Sequence, residues 1–272
     1  MTGDAPWSIS GTTRLLAVIG DPVRQVQAPA LLNPLLNRPG TDAVLVPVHA
    51  RPDDLPDVVR GLQRAGNVDG LLITVPHKAA ARAFADGLSP AVRLSGSTNA
   101  LRREPDGRWY AENFDGAGFV AGLRAAGHAP EGRRVMLVGG GGAGSAIAAA
   151  LLGAGAARLT VCEPDRQRRE ALLARLSRVW PGRLAGRGVP DPEGADLAVN
   201  ATPLGLGPGD PLPFAPKTLE PGAVVADIIM KPRDTALLKS AAALGHPVHH
   251  GVHMLTRQLD LYREFFRLAP DR

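Results

Sequence analysis

Short apolar runs alternate along the chain with stretches whose apolar residues recur at helical spacing. Residues 15–19 (Leu-Leu-Ala-Val-Ile) run into Gly20-Asp21-Pro22, which predicts a buried strand and a turn. A helix is expected over 28–36, kinked or shortened by Pro34. A strand over 44–48, a helix over 55–65 and a strand over 68–75 follow, the last stopping at Pro76-His77-Lys78 before a short helix that reaches Phe84. Strands alternating with helices predict parallel α/β packing. Residues 97–102, a turn at Asp106-Gly107 and residues 109–111 predict a hairpin, after which Asn113-Phe114-Asp115-Gly116 leads into a helix. In the second half, strands are expected at 135–138, 159–162, 196–200 and 224–229. The proline- and glycine-rich residues 206–213 are too short for a linker and predict a loop rimming a cleft. A final helix over 254–268 carries Leu255, Leu259, Tyr262 and Phe266 on one side, a face suited to packing back on the first domain.

The strand at 135–138 runs directly into Gly139-Gly140-Gly141-Gly142-Ala143-Gly144, and residues 146–152 continue as helix. Gly139, Gly141 and Gly144 fall on G-x-G-x-x-G. In that pattern the first glycine permits the tight turn, the second lets backbone approach a pyrophosphate, and the third lets helix pack on strand. The exposed N–H groups of the helix start, at Gly142 and Ala143, would hold the phosphates. A packing turn in a glycine-rich stretch is the bland alternative. The strand at 159–162 ends in Glu163-Pro164-Asp165, at the distance where a dinucleotide site places its acid on the ribose 2′-OH. A carboxylate there repels a 2′-phosphate, so NAD is the expected cofactor, with Arg166 and Arg168 close enough to leave NADP usable.

Composition narrows the classes. The 272 residues fit two domains, and 31 basic residues against 26 acidic ones give a net charge of +5. The arginines are spread along the chain beside acids and aromatics are scarce at 4%, which argues against a nucleic-acid partner. No apolar run approaches the roughly 18 residues of a membrane span, and the N-terminus shows no signal pattern, so a cytoplasmic location away from membranes is expected. The single cysteine, Cys162, sits in a predicted buried strand and cannot form an internal disulfide. His246, His249, His250 and His253 crowd the junction before the last helix, but a strand-to-helix loop scatters such side chains, so no metal is expected.

In order along the chain, Ile73-Thr74-Val75-Pro76-His77-Lys78, Ser97-Thr98-Asn99-Ala100, Asn113-Phe114-Asp115-Gly116, the glycine turn, Asn200-Ala201-Thr202-Pro203-Leu204-Gly205 and Gly251-Val252-His253-Met254-Leu255-Thr256-Arg257-Gln258 resemble the shikimate/quinate dehydrogenase family over nearly the whole sequence. The resemblance implies an N-terminal α/β substrate domain plus a Rossmann-like doubly wound dinucleotide-binding domain. The first would span 1–117, completed by 250–272, and the second 118–249, with the reaction in the cleft between them. It also implies reversible hydride transfer between a nicotinamide and a secondary alcohol of a shikimate-like cyclic polyol. Removing hydride from an alcohol requires a group that takes the hydroxyl proton. By resemblance Lys78 handles that proton and Asp115 positions it, while Thr74, Asn99 and Gln258 bind substrate hydroxyls. Asn200, Thr202, Pro203 and Gly251 fall on family cofactor segments.

Three departures from the family pattern concern the substrate. Where the family carries Ser-x-Ser-Pro against a substrate carboxylate, this chain has Val26-Gln27-Ala28-Pro29. Met230 stands in place of a further carboxylate partner, a tyrosine, and Phe114 in place of a threonine. The expectation is a substrate whose carboxylate is held differently, by Arg24, Gln25 or Gln27, or is absent. A biosynthetic shikimate dehydrogenase with unusual anchors and a nucleotide-binding sensor without catalysis are the alternatives. The protein is expected to act as a monomer or homodimer.

Overall fold

The computed structural model describes residues 9–38 and 41–268. Contacts within the chain divide it into two compact units: Met1–Leu88 with Thr98–Glu112 and Leu259–Arg272, and Ser89–Ser97 with Asn113–Gln258.

In the first unit, β1 (Arg14–Gly20), α1 (Ala28–Leu36), β2 (Asn37–Arg38), β3 (Thr41–His49), α2 (Leu55–Arg64), β4 (Val68–Ile73) and β5 (Gly87–Leu88) come first in the chain. Strand β1 is apolar without interruption because it lies between two parallel neighbours, β3 and β4, with residues 16–20 buried. Helix α1 ends two residues beyond Pro34, whose missing N–H and ring leave the helix short, as its sequence predicts. Helix α2 has Asp57 in its first turn and Arg64 in its last, the charge order that suits the helix dipole. The expected short helix before Phe84 is absent. Residues 75–80 form turns and Ala81–Phe84 a single 3₁₀ turn, held by local bonds such as His77 N–H to the Thr74 carbonyl at 2.9 Å and Ala81 N–H to the His77 carbonyl at 2.8 Å.

The hairpin formed by β6 (Ala100–Arg103) and β7 (Trp109–Glu112) continues this sheet, whose order is β2-β3-β1-β4-β6-β7-β5. The expectation of parallel packing therefore holds for only part of the sheet. A short loop can join only antiparallel strands, so β6 pairs antiparallel with β7 and β2 with β3; β6 also lies antiparallel to β4.

The second unit contains α3 (Pro90–Ser95), α4 (Asp115–Ala125), β8 (Arg134–Val138), α5 (Gly142–Gly153), β9 (Arg158–Cys162), α6 (Arg166–Ser177), β10 (Leu184–Arg187), β11 (Leu197–Asn200), β12 (Val224–Asp227), α7 (Ala236–Ala243), β13 (Val248–His249) and the start of α8 (Val252–Phe265). Its six strands are all parallel in the order β10-β9-β8-β11-β12-β13, the doubly wound order of a dinucleotide-binding sheet. Sequence patterning anticipated four of them. Alternate residues of β8 feed two cores: Val135 and Leu137 pack with α4, α5 and α6, while Met136 and Val138 pack with Phe214, Leu219 and α7. Helix α5 (Gly-Ala-Gly-Ser-Ala-Ile-Ala-Ala-Ala-Leu-Leu-Gly) is apolar on nearly every side because it is buried against both strands and α4. Among the described residues, no helix is long and apolar enough to cross a membrane.

Candidate active site

The chemistry-bearing residues of the first unit gather at the carboxyl end of β4. Thr74 follows that strand directly, and its N–H donates to the Ile19 carbonyl at 2.9 Å. Lys78, half-buried, lies four residues on in a segment pinned by backbone bonds. Thr98 N–H donates to the Lys78 carbonyl at 2.8 Å, and the His77 ring bonds the Ala50 carbonyl at 2.8 Å. Asn99 is buried beside β4: its carbonyl accepts from Ile73 N–H at 2.9 Å, and its Nδ2 donates to the Tyr262 hydroxyl at 2.9 Å. Tyr262 was legible only as part of an apolar helix face, since a phenol looks apolar in a periodicity pattern. Val26 and Ala28 sit beyond the carboxyl end of β1 and at the start of α1, where they offer no polar side-chain atom. Of the substitute anchors, Gln25 donates to the Pro22 carbonyl at 2.6 Å and Gln27 to the Gln25 carbonyl at 3.0 Å, whereas Arg24 is exposed.

In the second unit Asp115 opens α4, a position where a carboxylate suits the helix dipole, and is buried. Gln258 Nε2 donates to Asp115 Oδ1 at 3.3 Å, so two expected site residues from distant parts of the sequence meet. Behind Asp115 runs a chain of bonds that sequence reading did not find. Asp115 N–H donates to Asn113 Oδ1 at 3.0 Å, Asn113 Nδ2 donates to Ser97 Oγ at 2.9 Å, and Ser97 Oγ donates to the Gly142 carbonyl at 2.7 Å. Asp115 is thereby tied to the glycine turn.

That turn fits a dinucleotide. Gly139 adopts φ +100°, and a Cβ on Gly144 would fall 2.0 Å from the Gly139 carbonyl oxygen, so helix and strand meet with no room for a side chain. Around Gly141 nothing lies within 4 Å of the same construction, which leaves the approach open. Gly142 and Ala143 form the first turn of α5, whose N–H groups lack intrahelical acceptors by construction and suit an anion. The strand order reverses between β8 and β11, and ligands of such sheets bind at that crevice outside the carboxyl ends.

The acidic pair divides into two tasks. Glu163 is buried, with Oε2 accepting from Gly140 N–H at 2.8 Å and Oε1 from Asp165 N–H at 3.0 Å. Asp165 caps α6 by accepting from Arg168 N–H at 3.0 Å. The Arg168 guanidinium stands 3.5 Å from both carboxylates and is exposed over half its surface.

Across the crevice, Asn200 ends β11 and organises the next turn. Its Oδ1 accepts from Thr202 N–H at 3.0 Å and Thr202 Oγ1 at 2.7 Å, and its Nδ2 donates to the Leu204 carbonyl at 3.0 Å and to Asp227 Oδ1 at 3.2 Å. Pro203 is exposed at the tip. Asp227 also accepts from Ile229 N–H at 2.9 Å and Thr235 Oγ1 at 2.8 Å. Burial pushes the Asp227 carboxyl above the usual carboxylate range against the pull of these donors. In sequence Asp227 shows as an acid within the expected strand over 224–229, heading Asp227-Ile228-Ile229-Met230. Met230, half-buried, follows this segment, and Gly251 packs on it so closely that a Cβ would lie 2.4 Å from the Ile228 carbonyl oxygen.

The histidines cluster rather than scatter. His249 is buried with neither ring nitrogen hydrogen-bonded; its ring lies 4.9 Å from that of His253, 6.2 Å from His128 and 5.9 Å from Phe119. His246 lies outside these ring contacts, and His250 bonds Asp234 at 2.9 Å. No group of three or more histidines, cysteines or acids among the described residues is arranged to hold a metal ion. Burial, then the charges of His253, His128 and His250, lower the His249 pKa from 6.5 to about 4. A histidine depressed on folding adds stability above its unfolded pKa and loses it as pH falls through the folded value. Thermal stability is therefore expected to decline from pH 6.5 toward pH 4, and His249→Phe should flatten that decline in melts taken across the range. An unchanged slope would remove His249 as its source.

The family model for the shikimate dehydrogenase substrate binding domain matches residues 18–101. A shikimate dehydrogenase (NADP(+)) of Rubrobacter xylanophilus is 37% identical over 273 residues, covering 97% of this chain and 94% of the relative. Among solved structures, a 5-ketofructose reductase of a Gluconobacter species superposes with a TM-score of 0.82 at 30% identity, covering 94% of each chain. A quinate dehydrogenase from Corynebacterium glutamicum in complex with NAD gives 0.81 at 30% identity, covering 95% of each chain. With the doubly wound sheet and its glycine turn on one side and these full-length likenesses on the other, the chain belongs to the shikimate dehydrogenase family.

Proposed function

We propose that this protein is an NAD(P)-dependent dehydrogenase that interconverts a secondary alcohol and a ketone on a shikimate-like cyclic polyol. The observation that carries the reading is the glycine turn at the strand-order reversal of a six-stranded parallel sheet, in a member of this family. A bound nicotinamide supplies or accepts the hydride. The chain's own residues bind and move the proton: Lys78 exchanges it with the substrate oxygen, Asp115 is the positioning carboxylate, and Thr74, Asn99 and Gln258 hold hydroxyls. Gly139 to Gly144 hold the pyrophosphate, with the Asn200, Thr202, Pro203 turn and Gly251 completing the cofactor side. A cytoplasmic enzyme, monomeric or homodimeric, belongs to the same reading.

The finer substrate reading is a polyol whose carboxylate is absent or held away from the usual place. It is supported by Val26 and Ala28, which carry no hydrogen-bonding side-chain atoms, and by the likeness to a reductase of a neutral sugar, 5-ketofructose. The shikimate dehydrogenase names of the curated relatives favour a second reading, reduction of 3-dehydroshikimate with unusual anchors. For the cofactor, buried Glu163 favours NAD, whereas exposed Arg168 and the relatives' NADP(+) names favour NADP. Preference for NAD is the proposal, because a carboxylate at this strand end repels a 2′-phosphate.

The test is a screen of shikimate, quinate and neutral cyclic polyols with each cofactor, followed by reduced-nicotinamide absorbance. Neutral polyols with NAD should give the higher kcat/KM. No reduction of either cofactor would sink the reading. The double variant Val26→Ser with Ala28→Ser is expected to raise kcat/KM on shikimate or quinate about tenfold or more, since each hydroxyl can donate to a carboxylate. No gain in that variant, together with efficient turnover of shikimate by the wild type, would establish the second reading instead.

A further inference from the structure

We propose that Asp227 is a positioning residue for the nicotinamide cofactor, acting through Asn200 on the turn that walls the crevice opposite the glycine loop. The inference rests on the dinucleotide reading above and deepens it.

An amide side chain has two donor hydrogens and two acceptor sites, and Asn200 uses all four: Thr202 twice on Oδ1, Leu204 and Asp227 on Nδ2. Rotating the amide by half a turn would set its oxygen against a carboxyl oxygen and a carbonyl, and its NH₂ against two donors. Asp227 and the Leu204 carbonyl therefore decide which way Asn200 faces. Of the two, only Asp227 is fixed independently of the turn, by Ile229 N–H and by Thr235, the cap of α7. Asn200, Asp227 and Thr235 are fully buried, so water does not substitute in the bonds that join them.

The turn so held lies against the glycine loop. Ala201 N–H donates to the Val138 carbonyl at 2.8 Å, and a Cβ on Gly139 would lie 2.8 Å from the Ala201 carbonyl oxygen and 2.9 Å from Thr202 Cγ2. Residues 201 and 202 thus stand at the strand-order reversal, one residue from the first glycine of the fingerprint. Asp227 also sets the turn into Met230 through Ile229 N–H. A single buried carboxyl governs both segments that leave the carboxyl ends of β11 and β12.

The test compares wild type with Asp227→Asn, which keeps the volume but replaces an acceptor by a donor. Its cofactor KM, and the Kd for the reduced cofactor from nicotinamide fluorescence, are expected to rise about tenfold, while kcat and the KM of the alcohol stay within about threefold. A role confined to stability would lower the melting temperature without that split. An unchanged cofactor Kd, or a fall in kcat alone, overturns the proposal. If Asp227→Asn does not fold, Thr235→Val, which removes one of the two bonds that fix Asp227, carries the same test: a similar rise supports the proposal and an unchanged Kd overturns it. A wild type that binds neither NAD(H) nor NADP(H) would refute the dinucleotide reading itself, a result separable from equal binding by wild type and variant.

Discussion

Lys78→Ala is expected to lower kcat by about 10²–10⁴ while leaving cofactor affinity within about twofold. The magnitude is that of losing a positioned acid/base group. Thr74 and Asn99 carry no acid/base side chain, and the ring of buried His77 is engaged by the Ala50 carbonyl. The fold should tolerate the change. The backbone of this segment is held by the Lys78 carbonyl and its neighbours, bonds that alanine retains. Steady-state kinetics with saturating cofactor, alongside fluorescence titration of the reduced cofactor, separates the two effects. A variant as active as wild type removes Lys78 from the chemistry. Loss of cofactor binding as well would locate the damage in folding, which a thermal melt reads directly.

The second large effect belongs to the glycine turn, where two neighbouring substitutions should fail for different reasons. In Gly144→Ala the new methyl would stand 2.0 Å from a backbone oxygen that cannot rotate away, so α5 must lift from β8. The expected result is a fall in stability of about 1–3 kcal/mol or more, with cofactor binding lost in the same protein. In Gly141→Ala the methyl meets no protein atom within 4 Å, so the melting temperature should hold. It would occupy the space through which a pyrophosphate approaches, and the cofactor Kd should rise at least tenfold. Thermal melts and cofactor titrations on the two variants decide the matter. Equal melting temperatures would contradict the close approach at Gly144, and undiminished affinity in Gly141→Ala would displace the phosphates from this turn.

Much of this architecture was legible in residue pattern because the doubly wound sheet is buried on both faces. Its central strands are continuous apolar runs, and the glycine fingerprint marks the turn after the first of them. The edge strands were not legible. β10 is Leu-Ala-Gly-Arg and β13 is Val-His, too short and too polar to announce themselves, and each is a strand only because a neighbour offers a ladder. Helix α3 was missed although Ser89, Pro90 and Gly96 are ordinary start and stop signals, because six residues leave no periodicity to read. The mixed direction of the first sheet depends on how the hairpin docks beside β4, which pattern alone does not encode. At the site, the expected roles followed residue type, whereas the supporting bonds did not. Asn113, Ser97, Asp227 and Tyr262 act through partners as far apart as residues 99 and 262, a pairing that only the folded backbone creates.

The threading of the chain also sets an order of assembly. The first unit needs residues from beyond Gln258: the Phe266 ring lies over Gly70, Tyr262 receives the Asn99 amide, and Arg102 reaches the Phe265 carbonyl at 2.7 Å. All of these partners are translated after the whole of the second unit. The nascent second unit can therefore close on itself while most of the first, though made earlier, still lacks the lid over β4 and β6. Until α8 emerges, Gly70 and its neighbour Leu16 present an apolar floor to whatever else is in reach. A ribosome that stalls before Leu259 would leave a sound nucleotide unit tethered to an adhesive, unfinished partner.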